Sequence, residues 1–233
     1  MARPRAATYD DQRAQILKAA ADLFARKGYT AATLNEVAAA SGVSKATLYH
    51  YFSDKHALLE DIVRSHVARL EQLTEQQTVA MPKSRQPRGP RIAGPSQRAQ
   101  PPAAPAVSAD AERRLRSLIR RFMQAYADAQ SEHRVLTEDV KFLDARARDA
   151  VLEGQRRVVA AFAHGIAACR PDLDGALHKP MAMLLFGMIN WTFTWLRPDG
   201  ALTYPALGEV VADLFFGGLP AVATTLAPPQ SIS

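Results

Sequence analysis

TLNEVAAASGVSKATLYHYFSDKHAL, residues 33–58, contains the signals for two short helices joined by a tight turn. Thr33 and Glu36 have capping-box spacing, in which the threonine oxygen accepts a backbone N–H and the glutamate reaches back to the cap. Gly42 can take the left-handed conformation that ends the first helix, and Ser44 can cap the second. The stretch therefore predicts a helix-turn-helix.

The second helix of this pair has one apolar side and one side of small residues. Leu48 and Phe52 lie four positions apart, which predicts that they share the buried face. Ala46, Thr47 and His50 then face away from the core. A narrow outer face can enter the major groove closely, where a hydroxyl meets a base edge and a methyl group meets a thymine methyl. The pattern therefore predicts a DNA-recognition helix.

The composition predicts a mostly globular helical chain. Its 233 residues are 48% hydrophobic, 22% charged and only 7% aromatic, and runs of β-branched residues are scarce. Cys169 is the only cysteine, so an intramolecular disulfide is excluded and a cytoplasmic location is expected. The polar N-terminus predicts no signal peptide, and no apolar run is long enough to predict a membrane span. A net charge of +6 agrees with a polyanionic partner, and equally with an arginine-rich composition.

The chain divides into five parts by composition and periodicity. After residue 80 prolines interrupt the helical pattern, and the charged residues there are basic with no acidic residue among them. This composition predicts a disordered linker, which is either an inert spacer or an auxiliary DNA contact. The predicted parts are a helix-turn-helix domain (1–64), the remainder of a connecting helix that begins after a Ser53 cap (65–80), the linker (81–109), a regulatory and dimerisation domain (110–219) and a disordered tail (220–233).

The C-terminal part predicts a helical bundle with a surplus of apolar side chains. The segment 177–196 is apolar nearly all round, so we expect it to be buried on more than one side. A last helix should run from Tyr204 to Leu219. Apolar residues of these two segments predict either a dimer face or additional core. They are Met181, Met183, Leu184, Met188, Phe193, Val210, Leu214 and Phe215.

An ordered series of motifs runs through the first part of the chain. It comprises Ile16-Leu17-x-Ala19-Ala20-x-x-Leu23-Phe24, Gly28-Tyr29, Thr33-x-x-Glu36-Val37-Ala38, the run from Ser41 to Phe52, and Lys55-x-x-Leu58-Leu59. Over about fifty residues this series resembles the N-terminal domain of TetR/AcrR-family transcriptional regulators. His56 departs from the family pattern, which often has a glutamate there; we expect it to be a solvated helix residue. The long proline-rich insert is a second departure.

The resemblance implies a DNA-binding set and a symmetric dimer that reads a palindrome. Residues implied to approach bases are Asn35, Lys45, Ala46 and Thr47, with Ser44 at the helix start. Residues implied to hold the phosphate backbone are Thr33, Tyr49, His50, Tyr51 and Lys55. Tyr49 lies beside the Leu48 face, so it can alternatively be partly buried. Repression is the usual mode of the family.

The C-terminal half resembles a narrower group, the TetR-type repressors that respond to coenzyme A thioesters of aromatic or fatty acids. The segments HRVLTEDVKFL, GQRRVVAAF and FGMINWTFTWLRPDGALTY carry this resemblance. The implied effector site contains Phe122, Tyr126, Phe142, Leu143, Arg146, Phe162, Trp191 and Trp195, with Arg148, Arg156 and Arg157 as further cations for phosphates. The alternative is that the aromatic residues are core and the arginines form a solvated face.

Enzyme motifs are missing from the sequence. It has no glycine-rich phosphate loop, no His-Glu-x-x-His and no nucleophile elbow, and His133, His164 and His178 lack metal-ligand spacing. We therefore predict no catalytic residue, no metal and no cofactor. The partners predicted are double-stranded DNA, a small-molecule effector and a second copy of the chain. Two alternatives stay open: a nonspecific architectural DNA-binding protein, and a helical acyl-thioester-binding protein without DNA activity.

Overall fold

The computed structural model describes residues 3–79, 108–197 and 199–223, and within these ranges it contains helices and no strand. The α-helices are α1 (Arg3–Lys27), α2 (Leu34–Ala40), α3 (Lys45–Tyr51), α4 (Lys55–Val79), α5 (Ala109–Asp128), α6 (Gln130–Asp139), α7 (Ala145–Cys169), α8 (Gly175–Ile189) and α9 (Tyr204–Gly218). Short 3₁₀ turns follow α6, α8 and α9. The prediction of an all-α chain is confirmed. The predicted linker lies outside the described residues up to position 107.

The ends of the first helices follow the predicted local chemistry. Gly28 ends α1 with φ +86° and Gly42 ends the turn after α2 with φ +69°, conformations that favour glycine. Thr33 Oγ1 accepts the Glu36 N–H at 3.3 Å, and the Thr33 N–H donates to Glu36 Oε2 at 2.9 Å, which completes the capping box. Ser44 Oγ accepts the Thr47 N–H at 3.0 Å. Thus α2 and α3 are held in the predicted helix-turn-helix.

The predicted cap of α4 is wrong by one residue. Asp54, and not Ser53, precedes the helix, and its Oδ1 accepts the Ala57 N–H at 2.8 Å. A carboxylate at this position also interacts favourably with the positive end of the helix dipole. The first helix, α1, begins at Arg3, well before the first residue of the motif series at Ile16.

The headpiece, formed by α1 to α3 and the first turns of α4, shares its core with the regulatory part. Leu48 and Phe52 are buried as predicted, and Val135 and Leu143 from the α6 region belong to the same apolar cluster. Further contacts cross at the surface. Ser131 Oγ donates to Asp22 Oδ1 at 2.6 Å, and the Tyr29 and Phe142 rings stack at 5.2 Å. The headpiece therefore rests on α6 and on the segment between α6 and α7.

His56 is another point where the prediction was wrong. It is partly buried, and its Nε2 accepts the backbone N–H of Asp144 at 3.1 Å, immediately before α7. Asp144 in turn caps α7 through the Ala147 N–H at 2.8 Å. A residue expected to be solvated therefore links the start of α4 to the start of α7.

The regulatory bundle packs α5, α7, α8 and α9 around an aromatic centre. The rings of Phe122 and Phe162 lie 4.9 Å apart, and those of Phe162 and Phe186 lie 4.8 Å apart, both in edge-to-face geometry. Arg170 is fully buried after α7 and forms two hydrogen bonds with Asp172. Its guanidinium also donates to backbone carbonyls after α9, including that of Val222 at 3.3 Å. The described chain thus stays packed to residue 222, past the predicted start of the tail at 220; residues 224–233 lie outside the described ranges.

Helices α8 and α9 each expose large apolar side chains. Leu184, Val210 and Leu214, here called the α8–α9 apolar face, are exposed, Leu214 to 65%, as are Trp191 and Trp195 after α8. The segment 177–196 is therefore covered on one side within a single chain, whereas burial on more than one side was expected. Among the described helices, none combines the length and apolarity needed to cross a membrane.

Candidate DNA-binding surface and effector cavity

The outward face of α3 presents small and cationic groups at its N-terminal end. Ser44, Lys45 and Ala46 are exposed, and Thr47 is partly exposed. The hydroxyls of Ser44 and Thr47 lie 2.8 Å apart, so the cap also orients the Thr47 side chain. Tyr49 is 46% exposed, which contradicts the alternative that it belongs to the core. The face therefore offers small side chains with hydroxyl and ammonium donors, which are the groups that contact base edges and phosphates in a major groove.

An aromatic group flanks the C-terminal end of α3. The Tyr9 ring of α1 stacks on Tyr51 at 4.5 Å and meets His50 edge-on at 6.2 Å. Tyr51 donates its hydroxyl to Gln12 Oε1 at 2.9 Å. Tyr51 is thus tied to α1, while Tyr9, 41% exposed, brings another phenol beside the recognition helix.

Lys55 has a geometry that argues against its predicted phosphate contact. Its ammonium group donates to the carbonyl oxygens of Tyr29, Thr30 and Ala32, at 2.9, 3.2 and 3.0 Å. It also lies 4.5 Å from the centre of the Tyr29 ring. These contacts use the three N–H donors of a lysine. Lys55 therefore fixes the loop before α2.

A cavity of about 610 Å³ lies inside the regulatory bundle, between α4, α5, α6, α7 and α8. Val67 and Leu70 of α4 form one wall, and Leu136 of α6, Val159 of α7 and Phe186 of α8 form others. The volume falls in the usual range for small-molecule pockets, which are mostly apolar with a few placed polar groups. The helix α4 therefore contributes both to the lining of this cavity and to the headpiece core that supports the recognition helix.

A buried polar cluster lies at one wall of the cavity. It consists of His66 on α4, Tyr126 on α5, His133 on α6 and Asn190 at the end of α8. The Tyr126 hydroxyl donates to Asn190 Oδ1 at 2.9 Å, and the Tyr126 and His133 rings stack at 3.8 Å. Burial raises the pKa of Tyr126 above its ordinary range and lowers the pKa of both histidines. All members are therefore uncharged at neutral pH.

Cationic side chains lie at the rim of the cavity. Arg156 and Lys179 line it and are exposed. Arg156 pairs with Glu153 at 3.1 Å, whereas Lys179 has no ion pair among the described residues. No cluster of potential metal ligands occurs in the part of the chain that the structure describes. The cavity thus combines an apolar interior, one neutral polar wall and a basic entrance.

Both halves of the chain match models of known protein families. Residues 16–62 match the family model described as bacterial regulatory proteins, tetR family. Residues 108–219 match the model described as tetracyclin repressor-like, C-terminal domain. The chain belongs to the TetR family. It is a transcriptional regulator of the type that the sequence motifs predicted.

Two curated relatives show how far this TetR-family similarity extends. The transcriptional activator FasR of Mycolicibacterium smegmatis is 43% identical over 61 residues, which cover 26% of this chain and 28% of FasR. The alignment thus spans little more than a quarter of either protein. The transcriptional repressor KstR2 of Mycobacterium tuberculosis is 24% identical over 222 residues, which cover 90% of this chain and 94% of KstR2.

Solved structures agree in fold over nearly the whole TetR-family chain. A TetR-family transcriptional regulator from Bordetella parapertussis superimposes with a TM-score of 0.72 and 29% identity, covering 91% of this chain and 98% of that one. AibR, in complex with isovaleryl coenzyme A and operator DNA, has a TM-score of 0.66 and 20% identity, covering 87% of this chain and 97% of AibR. At that identity, AibR supports the fold alone.

The residues predicted for the effector site of this TetR-family regulator lie in different parts of the structure, and only some of them line the cavity. Tyr126 and Arg156 line the cavity. Phe122 and Phe162 are fully buried core residues, which is the alternative interpretation made for them. Leu143 belongs to the headpiece core. The remaining predicted residues form a group that does not line the cavity. That group comprises Phe142 against Tyr29, exposed Arg146, and Trp191 and Trp195 at 54% exposure.

Several cavity residues were not predicted as such. His133 and Asn190 lie inside two of the segments quoted for the resemblance, yet neither was singled out for the site. Their partners are far away in sequence: His66 is 67 residues from His133, and Tyr126 is 64 residues from Asn190. A histidine or asparagine at a position that faces the core was the available signal, because buried polar groups need partners. Tyr9 was also missed, since it lies before the motif series, which begins at Ile16.

Proposed function

We propose that this TetR-family chain is a homodimeric, effector-responsive repressor, whose effector occupies the regulatory cavity and lowers its affinity for a palindromic operator. The observation that carries the proposal is that α4 belongs to both sites. Its residues Leu58 and Leu59 pack in the headpiece core, and Val67 and Leu70 line the cavity. A shift of α4 caused by an effector must therefore displace the recognition helix.

The DNA contact is proposed for the exposed face of α3 and its flanks. The base-reading set comprises Ser44, Lys45, Ala46 and Thr47 with Asn35 of α2, and the phosphate set comprises Thr33, Tyr49, His50 and Tyr51. Support comes from the exposure of Asn35, Lys45 and Ala46 and from the cap that orients Thr47. Since one short helix covers only a few base pairs, two copies should read two half-sites about one helical turn apart.

The dimer is proposed to form through the α8–α9 apolar face. Val210 and Leu214 lie one turn apart on α9, and with Leu184 of α8 they are large apolar side chains left exposed on a single chain. A symmetric dimer would cover the same patch on both copies. In that arrangement the segment 177–196 would be buried on both sides, as its composition indicates.

The effector is proposed to be the coenzyme A thioester of an aromatic or fatty acid. An acyl or phenyl group fits the apolar interior, and Arg156 and Lys179 at the rim can receive phosphates. The similarity in fold to AibR agrees with this class. The architectural alternative relied on the basic linker, which lies outside the described residues, and no described feature favours it over sequence-specific binding.

Footprinting on the region upstream of the gene tests the DNA proposal. We expect a protected palindrome, and a loss of affinity of about 1–3 kcal/mol for Thr47→Ala if the hydroxyl contacts a base. Ser53→Ala is the matched control, because Ser53 is exposed and caps no helix. Equal affinity for scrambled DNA would support the architectural alternative instead.

A thermal-shift panel tests the effector class. The panel should contain phenylacetyl-, isovaleryl- and octanoyl-coenzyme A, the three free acids, and coenzyme A alone. A ligand that binds only the folded state raises the melting temperature by mass action. We expect stabilisation by at least one thioester and a smaller effect of coenzyme A alone. Stabilisation by a free acid without any by its thioester would overturn the proposed class.

A further inference from the structure

The cluster of His66, Tyr126, His133 and Asn190 contains a chain of hydrogen bonds with a fixed direction. His133 Nε2 lies 3.0 Å from the Asn190 carbonyl oxygen, and a carbonyl can only accept. His133 Nε2 therefore carries the proton. Since burial keeps this imidazole neutral, its Nδ1 has none and must accept. His66 Nε2, 3.3 Å from that Nδ1, must be the donor.

This chain connects three helices that have different roles. His66 belongs to α4, His133 to α6 and Asn190 to the C-terminal end of α8. His133 and Asn190 line the cavity, whereas His66 lines the cleft between α1 and α4 on the other side. The His66–His133 bond therefore joins the cavity wall to the helix that supports the headpiece.

Asn190 still has a free hydrogen-bonding group. Its Oδ1 accepts from Tyr126 at 2.9 Å, its N–H donates to the Phe186 carbonyl at 2.9 Å, and its carbonyl accepts from His133. Its Nδ2 has no partner among the described residues. In a mostly apolar cavity, such a donor favours a ligand with an acceptor oxygen, because pairing there offsets the cost of desolvating both groups.

We infer that Asn190 reads an acceptor oxygen of the effector, of the kind a thioester carbonyl provides, and that the His133–His66 bond transmits this contact to α4. The inference rests on the proposed function and names the residues that act within it. The side chain of Asn190 contacts the ligand, and the backbone carbonyl of Asn190 accepts the hydrogen bond from His133. A shift of residue 190 on binding therefore moves the acceptor of His133, and His66 moves with it. His66 is a positioning residue that touches no ligand.

Four variants separate this role from a general effect on stability. His66→Phe removes the donor and retains a ring of similar size. His66→Gln restores an N–H near the position of Nε2. Arg69→Gln is the matched control on the same helix, since Arg69 forms an exposed ion pair with Asp128 at 2.9 Å and does not line the cavity. Asn190→Leu removes the proposed ligand contact.

The readouts are the dissociation constant for phenylacetyl- and octanoyl-coenzyme A by calorimetry, and the ratio of operator dissociation constants with and without saturating probe. For the wild type and Arg69→Gln we expect a ratio of about 5 to 150, the usual range of allosteric coupling. His66→Phe should bind the probes within about threefold of the wild type but lose most of the ratio, and His66→Gln should recover it. Asn190→Leu should bind the probes about tenfold more weakly, the usual effect of one lost hydrogen bond.

The outcomes distinguish this inference from the proposed function. A wild-type protein that responds to no probe overturns the effector class and the transmission built on it. A normal wild-type response that His66→Phe retains overturns the transmission alone. Nitrogen-15 NMR of the imidazoles gives a ligand-free check: we expect both rings neutral and protonated at Nε2 at pH 7. An Nδ1–H tautomer or a charged ring at either position would overturn the hydrogen-bond chain directly.

Discussion

Acidification should destabilise the protein at a higher pH than carboxylate titration alone would cause. Burial lowers the pKa of His66 and His133 in the folded protein, whereas an unfolded chain protonates histidine near pH 6.5. The stability that comes from keeping the rings neutral is therefore complete above pH 6.5 and is lost as the pH falls below it. The two imidazoles are both only 3% exposed, so solvent screening is small.

The size of the effect follows from linkage. A ring that stays neutral in the folded state and titrates at pH 6.5 in the unfolded state contributes about 2 kcal/mol less at pH 5 than at pH 7. The pair together should lose about 4 kcal/mol, a large share of the stability of an ordinary domain. The pKa of Glu36 is lowered to about 2 by hydrogen bonds from Lys27 and Thr33, so its contribution is lost only below about pH 4.5. Asp139, whose pKa burial raises, acts in the opposite direction.

Urea denaturation from pH 7 to pH 5 measures this loss. His66→Phe should reduce the pH-dependent part to about half, because one titrating ring remains. A free energy of unfolding that is flat between pH 6.5 and pH 5 would refute the assignment of two neutral buried rings.

Three further predictions concern packing, assembly and capping. A Cβ on Gly154 would lie 2.5 Å from Val67 Cγ1, so Gly154→Ala should lower the free energy of unfolding by about 1–3 kcal/mol. Adding Val67→Ala should relieve part of that loss, and additive effects in a urea double-mutant cycle would contradict the clash. Leu214→Asp places a charge on the α8–α9 apolar face and should give monomers at micromolar concentration with unchanged helix content; persistent dimers in analytical ultracentrifugation would rule out this interface. Thr33→Val removes the cap of α2 and should cost about 1 kcal/mol in urea denaturation, and no loss would mean that Glu36 alone holds that end.

The helices of the headpiece could be predicted because their ends depend on neighbouring residues. Thr33 and Ser44 bond to groups three positions away, and Gly42 needs only its own backbone freedom. The cap of α4 was placed one residue early because serine and aspartate are both favoured caps and here stand side by side, at Ser53 and Asp54. Local chemistry therefore determines where these helices lie to within a residue or so.

The effector cavity could be predicted only in part. Aromatic residues at helical spacing suit a core and a pocket equally, and the fold placed Phe122 and Phe162 in the core but Trp191 and Trp195 at the surface. The polar wall depends on pairs such as His66 and His133, which lie 67 residues apart. Periodicity shows that such residues face inward, and it contains no information on which of them meet.

The most direct test of the mechanism is an anisotropy titration of labelled operator with the wild type and with Ala163→Phe, which fills the cavity from α7. We expect phenylacetyl-coenzyme A to weaken operator binding by the wild type about 5- to 150-fold, the usual range for allosteric coupling. Ala163→Phe should bind operator with the affinity of the wild type, and the thioester should not change that affinity. Release of Ala163→Phe at the wild-type thioester concentration would show that the cavity does not control DNA binding.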